Sequence, residues 1–145
     1  MAKFTYRMQN ILEIKLKLEA QAKIRYAAAN AKLQEEQDKL QVLLLRRVGY
    51  ERKLRELMTG ELDIREVNHM RNSVQTMQTL IRAQTTEIHK AELAVEAARK
   101  ELNEIMQERK AQEKLREHAF EEFKQELMVQ ENKEIDELIS YTYNS

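Results

Sequence analysis

The chain has no cysteine, no proline and no tryptophan, and only two glycines in 145 residues. Without cysteine there is no disulfide framework, no thiolate metal site and no cysteine nucleophile. Without proline, and with so little glycine, the turn chemistry of sheets and many-element folds is missing. Long apolar runs are missing too. The longest bulky one is Val42-Leu43-Leu44-Leu45, against the ~20 residues a membrane-spanning helix needs. The opening Met1-Ala2-Lys3-Phe4-Thr5-Tyr6-Arg7-Met8 contains no apolar core of a secretory signal. The expectation is a soluble cytoplasmic protein. No charge sign dominates either: 25 Lys+Arg balance 25 Asp+Glu. Acids interrupt the bases every few positions, so no basic stripe exists to displace counterions from nucleic acid.

What the sequence does contain is helical periodicity. Stepping three and four alternately from Val67 gives Val67, Met70, Val74, Met77, Ile81, Gln84, Ile88, Ala91, Val95, Ala98, Leu102 and Ile105, and Gln84 is the one bulky polar member. A 3.5-residue repeat held over about five heptads is a coiled-coil seam. The first half is looser. Leu33, Leu40, Leu43, Leu44, Leu54, Leu57 and Met58 form one stripe, and Phe4, Met8, Ile11, Leu12 and Leu18 begin another. Between them Ala27-Ala28-Ala29-Asn30-Ala31 would let a partner helix approach closely.

One break divides the pattern, at Met58-Thr59-Gly60-Glu61-Leu62-Asp63. Gly60 is expected to take the left-handed conformation that ends a helix, with Asp63 or Thr59 capping the next. Gly49 reads as a tolerated helix-interior glycine. Helix one, about residues 4–58, would be on the order of 80 Å long, and helix two, about residues 63–139, on the order of 115 Å. The predicted fold is all-α: two long helices in an antiparallel coiled-coil hairpin with a turn near residues 59–63. Residues 1–145 are then a single elongated domain. Residues 1–60 carry 13 Lys+Arg and 7 Asp+Glu, and residues 61–145 carry 12 and 18, so the halves attract. With the turn near Gly60, Phe4 should lie near Arg116 to Phe120, and about the last twenty residues should project beyond the pair. Phe120, Phe123 and Leu127 on that projecting end mark a place for another protein.

No catalytic constellation is visible. Two glycines cannot build a phosphate-wrapping loop. His118 with Glu121 and Glu122 has helical metal-ligand spacing, but no second histidine lies a turn away, and the trio reads as a solvated charged face. Carboxylates on a two-helix hairpin have no cleft to desolvate them. The chain reads as a non-enzyme, without metal or cofactor, working through protein contacts.

The two ends carry a family likeness. Phe4-Thr5-Tyr6-Arg7-Met8-Gln9-Asn10-Ile11-Leu12, followed by Leu18-Glu19-Ala20-Gln21-Ala22-Lys23, resembles the start of the flagellar export protein FliJ family. Glu121-Glu122-Phe123-Lys124, continuing to Glu131-Asn132-Lys133-Glu134-Ile135-Asp136-Glu137-Leu138, is similar to that family's C-terminal signature. The resemblance implies a soluble, non-enzymatic part of the bacterial flagellar type III export apparatus, serving flagellum assembly and motility. It implies a stalk-like coiled coil that binds the hexameric export ATPase, contacts the export-gate protein FlhA and interacts with export chaperones. Its place would be the cytoplasm, with peripheral association at the membrane's inner face. The ring contact would fall on Phe4, Tyr6, Arg7, Phe120 and Phe123, with Asp136 and Glu137. The gate contact would fall on Met77, Leu80 and Gln84, where Ser73 and Gln84 stand in places that some relatives give to an aromatic and a histidine. A stand-alone scaffolding or tethering coiled coil without an ATPase partner is the alternative.

Overall fold

The computed structural model describes residues 3–144. It holds two helices, α1 (Gln9–Leu57, 49 residues) and α2 (Ile64–Asn144, 81 residues), and no strand among the described residues. The helices pack side by side and antiparallel, as a coiled-coil hairpin. No described helix is long and apolar enough to cross a membrane. The chain falls into two compact units: Met1–Ala22 with Leu102–Ser145, and Lys23–Glu101.

In the unit built from Lys23–Glu101, α1 enters the turn through its own last carbonyls. Met58 N–H donates to Leu54 O at 3.1 Å and to Arg55 O at 3.2 Å, and the Thr59 hydroxyl donates to Glu56 O at 2.7 Å. Asp63 caps α2, its Oδ1 accepting from Arg65 N–H at 3.0 Å while its carbonyl accepts from Val67 N–H at 3.0 Å. This is the side-chain capping expected of an Asp at a helix start. Gly60 departs from expectation. Among the described residues no glycine has a positive φ, because a tightened last turn and the Thr59 hydroxyl satisfy the terminal carbonyls without a left-handed residue.

All twelve positions of the α2 seam, from Val67 to Ile105, are buried or half-buried. The facing positions on α1 in this unit are Tyr26, Ala29, Leu33, Glu36, Leu40, Leu43, Arg47, Tyr50, Leu54 and Leu57. They too step by three and four, so the two stripes mesh as facing knobs and holes. Residue order runs in opposite directions across the pair: Arg25 meets Glu101 at 2.6 Å and Glu36 meets Gln84 at 2.6 Å. Of the small-residue run, Ala29 alone turns inward, and Ala27, Ala28 and Ala31 are exposed. Met58, at the mouth of the turn, is 50% exposed and lies outside the seam.

In the other unit, Leu12, Lys15, Glu19 and Ala22 face α2. Ala22, 1% exposed, is the small residue that permits close approach. Lys15 meets Glu108 at 2.7 Å, and Arg116 Nε donates to Gln9 Oε1 at 3.1 Å. Ile11 and Leu18 each precede a seam residue by one position, about 100° round the helix. They, like Met8, are exposed rather than part of a seam stripe.

Helix α1 also begins later than residue 4. Residues 3–6 are non-helical, and a turn closed by Gln9 N–H to Tyr6 O at 3.1 Å leads into Gln9. Outside a helix residues two apart are not held on opposite sides, and Phe4 and Tyr6 both reach α2; in a helix one of them would face away. At the other end α2 continues past residue 139 to Asn144. The added residues, Ser140 to Asn144, are modest helix formers, and within them the Thr142 hydroxyl donates back to Leu138 O at 2.8 Å.

Ile88 is 9% exposed in the seam, and Leu45 is 71% exposed. Ile88→Ala should cost about 2–3 kcal/mol in urea unfolding, and Leu45→Ala about 0.5 kcal/mol or less. A Cβ at Gly49 would meet no atom within 4 Å, so Gly49→Ala should stabilise the helix by roughly 0.5–1 kcal/mol.

Candidate partner-binding site

The non-helical lead into α1 ends on an aromatic cluster. The Phe4 ring stands edge-on to Phe120 with centroids 5.0 Å apart and lies tilted against Phe123 at 5.5 Å. Such edge-to-face pairs add to the area the rings bury. Two cations cover the cluster, Arg116 at 5.7 Å from the Phe4 centroid and Lys124 at 4.8 Å from that of Phe120, where the ring quadrupole attracts them. Phe120 remains 38% exposed, while Phe4 and Phe123 are half-buried. Phe4 thus sits at the edge of the expected window, with Phe123 just past it.

Tyr6 is buried at 8% exposure, and its hydroxyl donates to Gln112 Oε1 at 3.2 Å. It anchors the segment and is less available to a partner than Phe120. Arg7 is exposed beside it, and Arg7, Phe4, Phe123 and Glu126 line a shallow cleft. Asp136 and Glu137 are exposed on the same helix, about 20 Å further along the axis than Phe123. The structure therefore gathers Phe4, Phe120 and Phe123 with Arg7 nearby, and leaves Asp136 and Glu137 apart from them.

The three residues of the second expected contact have different surroundings. Met77 is a seam residue, 8% exposed, and Leu80 is 42% exposed on the outer surface. Gln84 Nε2 donates to the Glu36 carbonyl at 2.8 Å and to Glu36 Oε2 at 2.6 Å. Its amide is engaged within the chain.

That hydrogen bond belongs to a feature that apolar periodicity does not disclose. Charged residues occupy the α1 seam, and the buried ones are met by partners. The Glu36 side chain is 6% exposed; Lys32 Nζ lies 3.0 Å and Lys39 Nζ 3.3 Å from its Oε1. The Lys32 hydrogen bond, then Gln84, hold the Glu36 carboxyl down at about 2 against an ordinary 4.5, with partial burial opposing them. In the other unit, Glu19 Oε2 lies 2.5 Å from Arg109 Nε, and Arg109 Nη1 donates to both Glu113 oxygens at 3.0 and 2.9 Å. Both carboxylates hold the guanidinium in its charged form, raising its pKa, with Glu113 the larger influence. The available signal was the three-and-four step itself, extended upstream through polar residues.

Comparison with known proteins gives two matches. A family model described as flagellar FliJ protein matches residues 4–145. The solved structure of a YscO homologue, CT670, from Chlamydia trachomatis is similar to this one, with 25% sequence identity and a TM-score of 0.55. The match covers 98% of this chain and 96% of that one. Among curated proteins, none matches this chain.

The depressed Glu36 pKa sets an acid limit on stability. Its contribution is complete above about pH 4.5 and is lost as pH falls through about 2. Urea midpoints followed from pH 6 to about pH 2 should therefore fall more steeply in the wild type than in Glu36→Gln. Arg109→Ala should lower the midpoint at pH 7 more than Arg99→Ala, whose partner Glu96 lies on the same exposed surface.

Proposed function

Because the chain belongs to the flagellar FliJ family, a family of non-enzymatic type III export components, we propose that it is the stalk-like coupling factor of the flagellar export machine. In this reading it binds the hexameric export ATPase, promotes ring assembly or turnover, and links the ring to the export gate FlhA and to export chaperones. It works from the cytoplasm, reaching the membrane only peripherally, at the flagellar base.

The observation that carries the reading is the aromatic cluster where the lead into α1 meets α2. Phe120 is exposed beside Phe4 and Phe123, with Lys124 over its ring and Arg116 over that of Phe4. Exposed aromatic groups set among charges are what interface anchors consist of. Paired helices supply the lateral stiffness a coupling shaft needs. The charges on their outer faces make many weak contacts with surrounding subunits, so no single deep interface locks the shaft in place. For the gate, Leu80 is the residue whose side chain is free to meet a partner, and Met77 and Gln84 hold the segment that presents it.

The test is ATP hydrolysis by the purified export ATPase of the same organism, titrated with this protein while ring formation is followed. Saturable stimulation with hexamers is the expected result; neither stimulation nor binding would return the chain to a tether. Phe120→Ala with Phe123→Ala should raise the half-stimulating concentration about tenfold or more at unchanged helix content, since two aromatic anchors are worth about 2 kcal/mol or more. Unchanged stimulation would remove both residues from the site.

A further inference from the structure

Past Phe123 the seam positions of α2 turn polar, at Glu126, Gln130, Lys133 and Glu137, and the exposed apolar residues lie on another face of the helix. Met128, Ile135 and Leu138 share one face with Ile139 beside them, and they are 62%, 51%, 65% and 59% exposed. Every residue from Met128 to Tyr143 is exposed. Exposed apolar side chains at coiled-coil spacing form half of a seam. The segment is acidic, with Glu131, Glu134, Asp136 and Glu137 against Lys133.

The same unit carries a second uncovered stripe. Ile11, Ile14 and Leu18 on α1 also step by three and four, and they are 39%, 55% and 36% exposed. Around it the charge is opposite. Lys3, Arg7 and Lys17 stand against Glu13, while Lys15 and Glu19 are held by Glu108 and Arg109.

Charge decides which stripes can meet. Pairing the α2 overhangs of two copies sets acid against acid, and pairing the two α1 stripes sets base against base. The crossed pairing alone opposes the signs. A two-fold axis makes it reciprocal, so one contact, repeated, covers both stripes of both copies. The lengths are compatible: Met128 to Ile139 spans about 17 Å of helix and Ile11 to Leu18 about 10 Å.

We propose that the isolated protein forms a two-fold dimer, end to end, in which the acidic α2 overhang of each copy lies along the basic Ile11–Ile14–Leu18 face of the other. The dimer covers Asp136 and Glu137. A partner that uses those residues competes with the second copy. The proposal stands apart from the ATPase reading, since its test needs this chain alone.

Sedimentation equilibrium of the full chain over two decades of concentration, at low salt and at about 0.5 M salt, tests it. A monomer–dimer equilibrium is expected, with a dissociation constant about tenfold or more weaker at high salt. Ile135→Glu with Leu138→Glu should give a monomer throughout, at unchanged far-UV circular dichroism. Arg7→Glu with Lys17→Glu should weaken the dimer, and adding Glu131→Lys with Glu134→Lys should restore it. A wild type that is monomeric at every concentration overturns the proposal and assigns the overhang to a different molecule. A dimer that survives Ile135→Glu with Leu138→Glu places the interface elsewhere. Failure of the double charge swap to restore pairing overturns the crossed arrangement.

Discussion

A two-helix fold has one seam and no second layer, so the side chains along that seam must supply both cohesion and register. Apolar residues give cohesion but poor register, because a coiled coil displaced by one heptad buries nearly the same surface. The charged seam residues of α1 remove that degeneracy. Glu36 is satisfied by Gln84 and two lysines. Displacing α2 by a heptad would set it against Met77 or Ala91, and a buried carboxylate would lose its cross-helix donor. Glu19 depends on Arg109 in the same way. A one-heptad displacement in one direction would offer it Leu102 instead.

This division of labour explains how much was legible beforehand. The α2 seam could be read residue by residue, since eleven of its twelve positions are apolar and the pattern needs no partner to be recognised. The α1 seam has the same spacing but passes through Lys15, Glu19, Glu36 and Arg47. A search for apolar stripes therefore drifted by one position onto Ile11 and Leu18. Polar side chains signal a seam only when their partners on the facing helix are known, and that information is non-local. The Asp63 cap was legible because capping is local chemistry. Gly60 misled because glycine permits a left-handed residue without requiring one, and the Thr59 hydroxyl already served the helix end.

The likeness at the chain ends located the aromatic residues, but their arrangement came from packing. Phe4 is out of helical register with the seam, and the non-helical lead lets it join Phe120 and Phe123 while Tyr6 reaches Gln112. Tyr6 and Phe120 were alike as sequence candidates. Burial separates them into an anchor and an exposed surface.

The aromatic cluster also marks where the apolar seam of α2 ends. Below it, the periodic face of α2 is covered by α1 of the same chain. Above it, the seam positions are polar, and a separate apolar face bearing Met128, Ile135 and Leu138 is exposed. An uncovered apolar face keeps an unspent hydrophobic gain that grows with the area covered, so the overhang stays a solvent-exposed helix only until a matching surface reaches it. The acidic residues beside that face keep it soluble in the meantime, and they bias what it accepts toward basic surfaces. The projecting end is therefore at once the least internally supported part of α2 and the part best suited to exchange partners.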